Sequence, residues 1–151
     1  MHIYFNPSAS LPTGYYAAYM TNNFEINEFV IFCINDALHA HIMHQLGLPQ
    51  VKDQCQFNTP YLIKKIVARY KDKITISSRG IYINNNLIPN SVSLQSFHNI
   101  SLVPLPYTTI NLQKDQYFVL GQTKTSYDSR YFGVINKSQI ISKAVLLIRI
   151  K

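Results

Sequence analysis

YLIKKIVARY, residues 61–70, decides how the rest of the chain is read. Taken as a β-strand, it sends successive side chains to opposite faces. Leu62, Ile66 and Ala68 then share one face with Lys64, while Lys65 and Arg69 fall on the other, where water can reach them. Lys64 is the residue out of place. An ammonium among apolar neighbours loses hydration, which favours the neutral amine and lowers its pKa from about 10.4. A neutral lysine is a base. The alternative is a lysine near a strand end that snorkels its charge to solvent.

Short strands are predicted on both sides of this one. Residues 2–5 form a strand candidate that runs into NPSASLPTG, where two prolines and Gly14 force a turn and leave Ser8 and Ser10 on an accessible segment. Residues 15–20 and 28–34 read as strands separated by the polar TNNFEIN. Asp36 is a plausible N-cap for the single predicted helix, ALHAHIMHQL, with Gly47 as its stop and Pro49 beyond. Downstream, KITIS (73–77) and GIYI (80–83) precede the turn NNN and Leu87-Ile88, a hairpin pattern. Residues 91–111 are Ser/Thr/Asn/Pro-rich, a long excursion with room for one strand. Strands are also predicted over 116–120 and 144–150, and between them QTKTSYDSR leads into YFGVI. The pattern predicts a mostly β fold, a coiled sheet or partly open barrel, with one short helix in an insertion over about 34–58.

Composition limits the alternatives. A chain of 151 residues, 47% hydrophobic and 14% charged, suits one globular domain over 1–151. The net charge of +7 would suit nucleic acid or an anionic membrane surface, yet the basic residues are scattered and form no basic arm. No apolar run reaches the ~18 residues of a membrane span. Cys33 and Cys55 stand alone without a CxxC pattern, so they are two buried thiols or one disulfide, not a zinc site. His41 and His44 lie three apart on the helix but have no obvious third ligand, so no metal and no cofactor is assigned.

A neutral lysine needs a nucleophile to deprotonate, and Ser-Lys pairs are a variant of the serine-hydrolase arrangement. Pro7-Ser8-Ala9-Ser10-Leu11-Pro12-Thr13-Gly14-Tyr15 resembles the serine box of type I signal peptidases, in the form found in their conjugative-transfer, TraF-like branch. Residues 62–68 resemble the family's lysine box, with Asp72 at the place of its turn aspartate. Residues 80–84 resemble its hairpin, and Ser126-Tyr127-Asp128-Ser129-Arg130-Tyr131-Phe132-Gly133 resembles its last box. Serine and lysine boxes alone also fit self-cleaving domains of the LexA type; the last box does not.

The resemblance implies a serine endopeptidase. Ser10 would be the nucleophile and Lys64 the general base, with Ser8 and the Ser10 N–H as oxyanion donors. Ser126 would hydrogen-bond the lysine amine, and Asp128 with Arg130 would brace the loop by a bidentate pair. The chain departs from the family pattern at Gln122-Thr123, where Asp-Asn follows the glycine matched by Gly121, at Lys65, in place of arginine, and at Arg69-Tyr70-Lys71, in place of Leu-Pro-Gly. The same resemblance implies that Cys33 and Cys55 form a disulfide tethering the insertion. Closing a loop of about 22 residues stabilises by roughly 3 kcal/mol in the chain-entropy treatment. It implies further a catalytic domain in the bacterial periplasm and a membrane anchor just before the serine box, which the sequence from Met1 does not contain. The partners implied are a pilin or other precursor protein and the inner-membrane surface, without nucleic acid. The competing expectation is a non-catalytic assembly module of a secretion system that keeps the peptidase fold.

Overall fold

The computed structural model describes residues 2–150. β1 (His2–Asn6), β2 (Gly14–Tyr19) and β3 (Phe29–Phe32) precede the helix α1 (Ala37–Gln45). β4 (Leu62–Ala68), β5 (Lys73–Ser77), β6 (Gly80–Ile83) and β7 (Asn86–Leu87) follow. The excursion carries three short strands rather than one, β8 (Ser96–Phe97), β9 (Ile100–Ser101) and β10 (Thr108–Asn111). The chain ends through β11 (Gln116–Leu120), a single turn α2 (Ser129–Phe132), β12 (Ile135–Asn136) and β13 (Ile140–Arg149).

Seven strands form one sheet in the order β1-β2-β13-β3-β4-β11-β12, and β10-β5-β6-β7 form a second. The large sheet coils without closing. Tyr4 on β1 meets Tyr61, just ahead of β4, edge to face at 6.4 Å between ring centroids, although three strands separate β1 from β4 in the sheet. Among the described residues no hydrogen-bonded ladder joins the sheet's edge strands, β1 and β12, so the fold is an open, mostly β coil, as the sequence predicts.

β4 lies between β3 and β11, and its burial alternates strictly along Leu62–Ala68. Leu62 and Ile66 enter the main core with Val30, Phe32 and Val119. Ala68 enters the neighbouring core under the small sheet, with Ile74, Ile76, Ile81 and Phe118. The hairpin from β6 to β7 turns through Asn84 and Asn85, both at positive φ (48° and 72°), the backbone of a two-residue turn matched to the sheet's twist. β13 begins four residues ahead of the predicted strand. Register shifts after Ile140 and after Leu146 let one continuous strand pair with β3 and then with β2, and polar Ser142-Lys143 hid its first half.

α1 is capped as predicted. The Asp36 carboxylate accepts from the His39 N–H at 3.0 Å, and Gly47 takes φ 92° just past the C-terminus, where a side chain would be strained. Ile42 and Met43 pin the helix to the main core. A disulfide between Cys33 and Cys55, 22 residues apart, ties the insertion at both ends. We therefore expect no free thiol on titration in denaturant without reductant. Full reduction should lower the melting temperature by about 6–12 °C, the equivalent of roughly 3 kcal/mol in a chain of this size. Two reactive thiols in protein made in an oxidising compartment would contradict this. No helix among the described residues is long and apolar enough to cross a membrane.

Candidate active site

Lys64 sits in the middle of β4 opposite Val30 of β3, and 6% of its surface is exposed. It does not snorkel. Among the described residues no carboxylate lies within ion-pair distance of its amine. Burial brings the amine down from 10.5 to about 8; the Asp128 carboxylate opposes that shift and the Arg130 guanidinium adds to it.

Stability follows from this with a definite sign. Below pH 8 both folded and unfolded chains carry the proton, and the buried charge costs its full amount, about 3 kcal/mol for a shift of this size. Between about 8 and 10.5 only the unfolded chain holds it, so the cost fades as pH rises and is gone above the upper value. Lys64→Met should therefore melt above wild type at pH 7 by about 6–12 °C, with the gap narrowing from pH 8 upward. Burial also pushes up the phenols of Tyr16, Tyr117, Tyr127 and Tyr131, but these titrate alike in both proteins and cancel in the difference. A variant that melts below wild type throughout would make Lys64 a charged, paired structural residue.

Ser10 reaches the same place from β1. Asn6 holds the bend by donating to the Ser8 carbonyl at 3.1 Å and accepting from the Ser8 N–H at 3.2 Å. Beyond it Leu11 is buried, and the Tyr16 hydroxyl donates to the Pro12 carbonyl at 2.6 Å. Ser8, Ser10 and Lys64 line one open cavity of about 470 Å³. Its far wall is the insertion, through Leu46, Leu48 and Pro49, and Tyr4, Phe5 and Phe97 add aromatic surface. The Ser10 N–H donates to Ser8 Oγ at 3.0 Å, so the two groups assigned by resemblance to an oxyanion hole are bonded to each other.

The last box arrives on the loop after β11. Asp128 and Arg130 are fully buried and pair as predicted: Oδ1 accepts from Nε at 2.8 Å and Oδ2 from Nη2 at 2.7 Å. The free donors of Arg130 hold the carbonyls of Asn90, Val92, Thr123 and Ser126, which fastens the excursion and the loop to one guanidinium. Asp128 also accepts from the Gly121 N–H at 2.9 Å. Ser126 differs from its implied role. Its hydroxyl donates to Ser10 Oγ at 2.8 Å rather than meeting the lysine, and it lies 2.9 Å from the Thr123 hydroxyl. Gly121 is required here because a Cβ would lie 2.2 Å from Ser126 Oγ and 3.0 Å from Ser10 Cβ.

His39, not His41 or His44, is the helix histidine turned toward the site. Its Nδ1 shares a proton with the Tyr127 hydroxyl at 2.6 Å, and Tyr127 lines the cavity. The signal was the helical face His39, Ile42, Met43 and Leu46, spaced by three and four. No group of three His, Cys, Asp or Glu side chains able to hold a metal occurs among the described residues. In the turn after β4, Asp72 accepts from the Arg69 N–H at 2.9 Å while Lys71 stands at φ 79°, where the resemblance places glycine.

A family model described as signal peptidase, peptidase S26, matches residues 7–148. Two proteins of Escherichia coli, each named plasmid transfer protein TraF, are similar. One is 33% identical over 97 residues, covering 58% of this chain and 51% of its own length. The other is 28% identical over 149 residues, covering 89% of this chain and 76% of its own. A crystal structure of a signal peptidase I from Enterococcus faecalis V583 aligns with TM-score 0.42 and 17% identity, over 83% of this chain and 97% of that one.

Proposed function

Because the chain belongs to the peptidase S26 signal peptidase family, we propose that it is a Ser-Lys endopeptidase that processes a secreted or pilin precursor in conjugative transfer. The observation that carries the reading is a buried lysine without a carboxylate partner among the described residues, its amine near 8, lining the same cavity as an accessible serine. Such a lysine has an energetic cost, and buried groups with shifted pKa values cluster where chemistry is done.

In the proposed reaction the precursor lies extended along the cavity, against a strand edge, with a small residue at the cut. Lys64 swings onto Ser10 Oγ and takes its proton, and Oγ bonds to the scissile carbonyl carbon. The carbonyl oxygen, now negative, displaces Ser8 Oγ from the Ser10 N–H and accepts from both that N–H and the rotated Ser8 hydroxyl. The lysine proton goes to the leaving nitrogen as the peptide C–N bond breaks. Water then takes the acyl group, releasing acid, or an amine takes it, joining chain ends. Similarity to the two TraF proteins motivates the conjugative setting, an inner-membrane location and a catalytic domain in the periplasm.

The test is incubation of the purified protein, in detergent, with candidate pilin and preprotein precursors, with each product mapped by mass spectrometry. Cuts after small residues support the reading, and a product lighter than its linear acid by one water marks amine capture. Cleavage should rise across the acid limb near pH 8, since only the neutral amine takes the proton. No cut in any precursor, or a cut that survives Ser10→Ala, removes the proposal.

A further inference from the structure

The loop between β11 and the last box does more than carry Ser126. Gln122 donates its N–H to the Ser10 carbonyl at 2.6 Å, and its side chain reaches the Ala9 carbonyl at 3.4 Å. Thr123 is held from behind, its carbonyl accepting from Arg130 Nη2 at 3.0 Å and from the Ser126 N–H at 3.4 Å. These are the two positions where the chain departs from the family's sequence in this loop. Both turn their polar groups on the nucleophile or on its partner.

We propose that Thr123 is a positioning residue that sets which way the Ser10 hydroxyl gives up its proton. A hydroxyl has one proton to donate. Ser126 spends its own on Ser10 Oγ, so the 2.9 Å contact between Thr123 and Ser126 is satisfied only with Thr123 as donor. The chain of bonds then runs from Thr123 to Ser126 to Ser10. Ser10 Oγ receives a proton from one side, and its own O–H is left to point toward the base. Thr125 is a competing partner for Thr123, but its hydroxyl is 3.4 Å away and exposed to water. Without Thr123, Ser126 can donate elsewhere or accept from Ser10, and the Ser10 proton then points away from Lys64.

The inference rests on the Ser-Lys reading, and one experiment separates the two. Wild type, Thr123→Val and Thr123→Ser are compared on an internally quenched peptide spanning the cut site mapped above, together with their melting temperatures. Valine keeps the shape and loses the hydroxyl; serine keeps the hydroxyl. We expect Thr123→Val to lose about 10- to 100-fold in kcat with KM within about twofold, and Thr123→Ser to stay within about threefold of wild type. Melting should move little in either. Wild-type kcat in Thr123→Val overturns the inference and leaves the dyad intact. Equal loss in both variants, a loss carried by KM, or a melting temperature that falls in step makes Thr123 merely structural. A wild-type protein that cuts nothing sinks the dyad reading and this one with it.

Discussion

Ser10→Ala and Lys64→Ala should each reduce cleavage by about three orders of magnitude or more, while Lys65→Ala stays near wild type. The two lysines are adjacent in sequence and alike in chemistry, so the contrast isolates what the fold does to them. Lys64 projects into the main core beside the cavity that holds Ser10. Lys65 lies on the other face of the sheet, in a groove with Leu11, Pro12 and Phe29, partly exposed. Lys64 has lost enough hydration to be substantially neutral near pH 8. Nucleophile and base act as a unit, so Ser10→Ala/Lys64→Ala should be scarcely worse than either single variant. Initial rates on the mapped precursor, with melting curves to show that each variant folds, decide the matter. Cleavage retained in Lys64→Ala would show that Ser10 does not depend on this amine and would end the dyad reading.

Much of this site was legible because its signals are local. Strand periodicity is a property of neighbouring residues, so Lys64 among Leu62, Ile66 and Ala68 was already visible in ten letters, and Asp36 and Gly47 marked the helix in the same way. What lay hidden depends on residues far apart in the chain. The Ser126–Ser10 hydrogen bond joins positions 116 apart, and the His39–Tyr127 bond joins positions 88 apart. No periodicity encodes such pairings. The insertion was expected as a tethered appendage, yet Leu46, Leu48 and Pro49 make it a wall of the cavity. Residues 91–111 defeated pattern reading for another reason. β8 and β9 are two residues each, too short for alternation to show, and are held in place by tertiary bonds such as Leu94 N–H to the Tyr131 hydroxyl.

The largest effect on stability should come from Arg130→Ala. This guanidinium is fully buried and is bonded to both oxygens of the equally buried Asp128. Its remaining donors reach the carbonyls of Asn90 and Val92, at the start of the excursion, and of Thr123, Lys124 and Ser126 in the loop beside Ser10. Removing it leaves a carboxylate in the interior with only backbone N–H partners, from Gly121 and from residue 130 itself. Breaking a buried pair from one side costs about 3–5 kcal/mol, a large part of the roughly 5–15 kcal/mol that holds a domain folded. The orphaned carbonyls add to that. Arg130→Lys should rescue little, because an ammonium cannot present the planar fork that spans two carboxylate oxygens and five carbonyls. The informative comparison is a cycle of Arg130→Met, Asp128→Asn and the double variant, followed by urea denaturation. If the cost lies in the uncompensated charge, the double variant should be destabilised by clearly less than the sum of the singles. Strict additivity would mean that each side chain acts through its backbone contacts alone, and the pair would then be two separate fasteners that happen to touch.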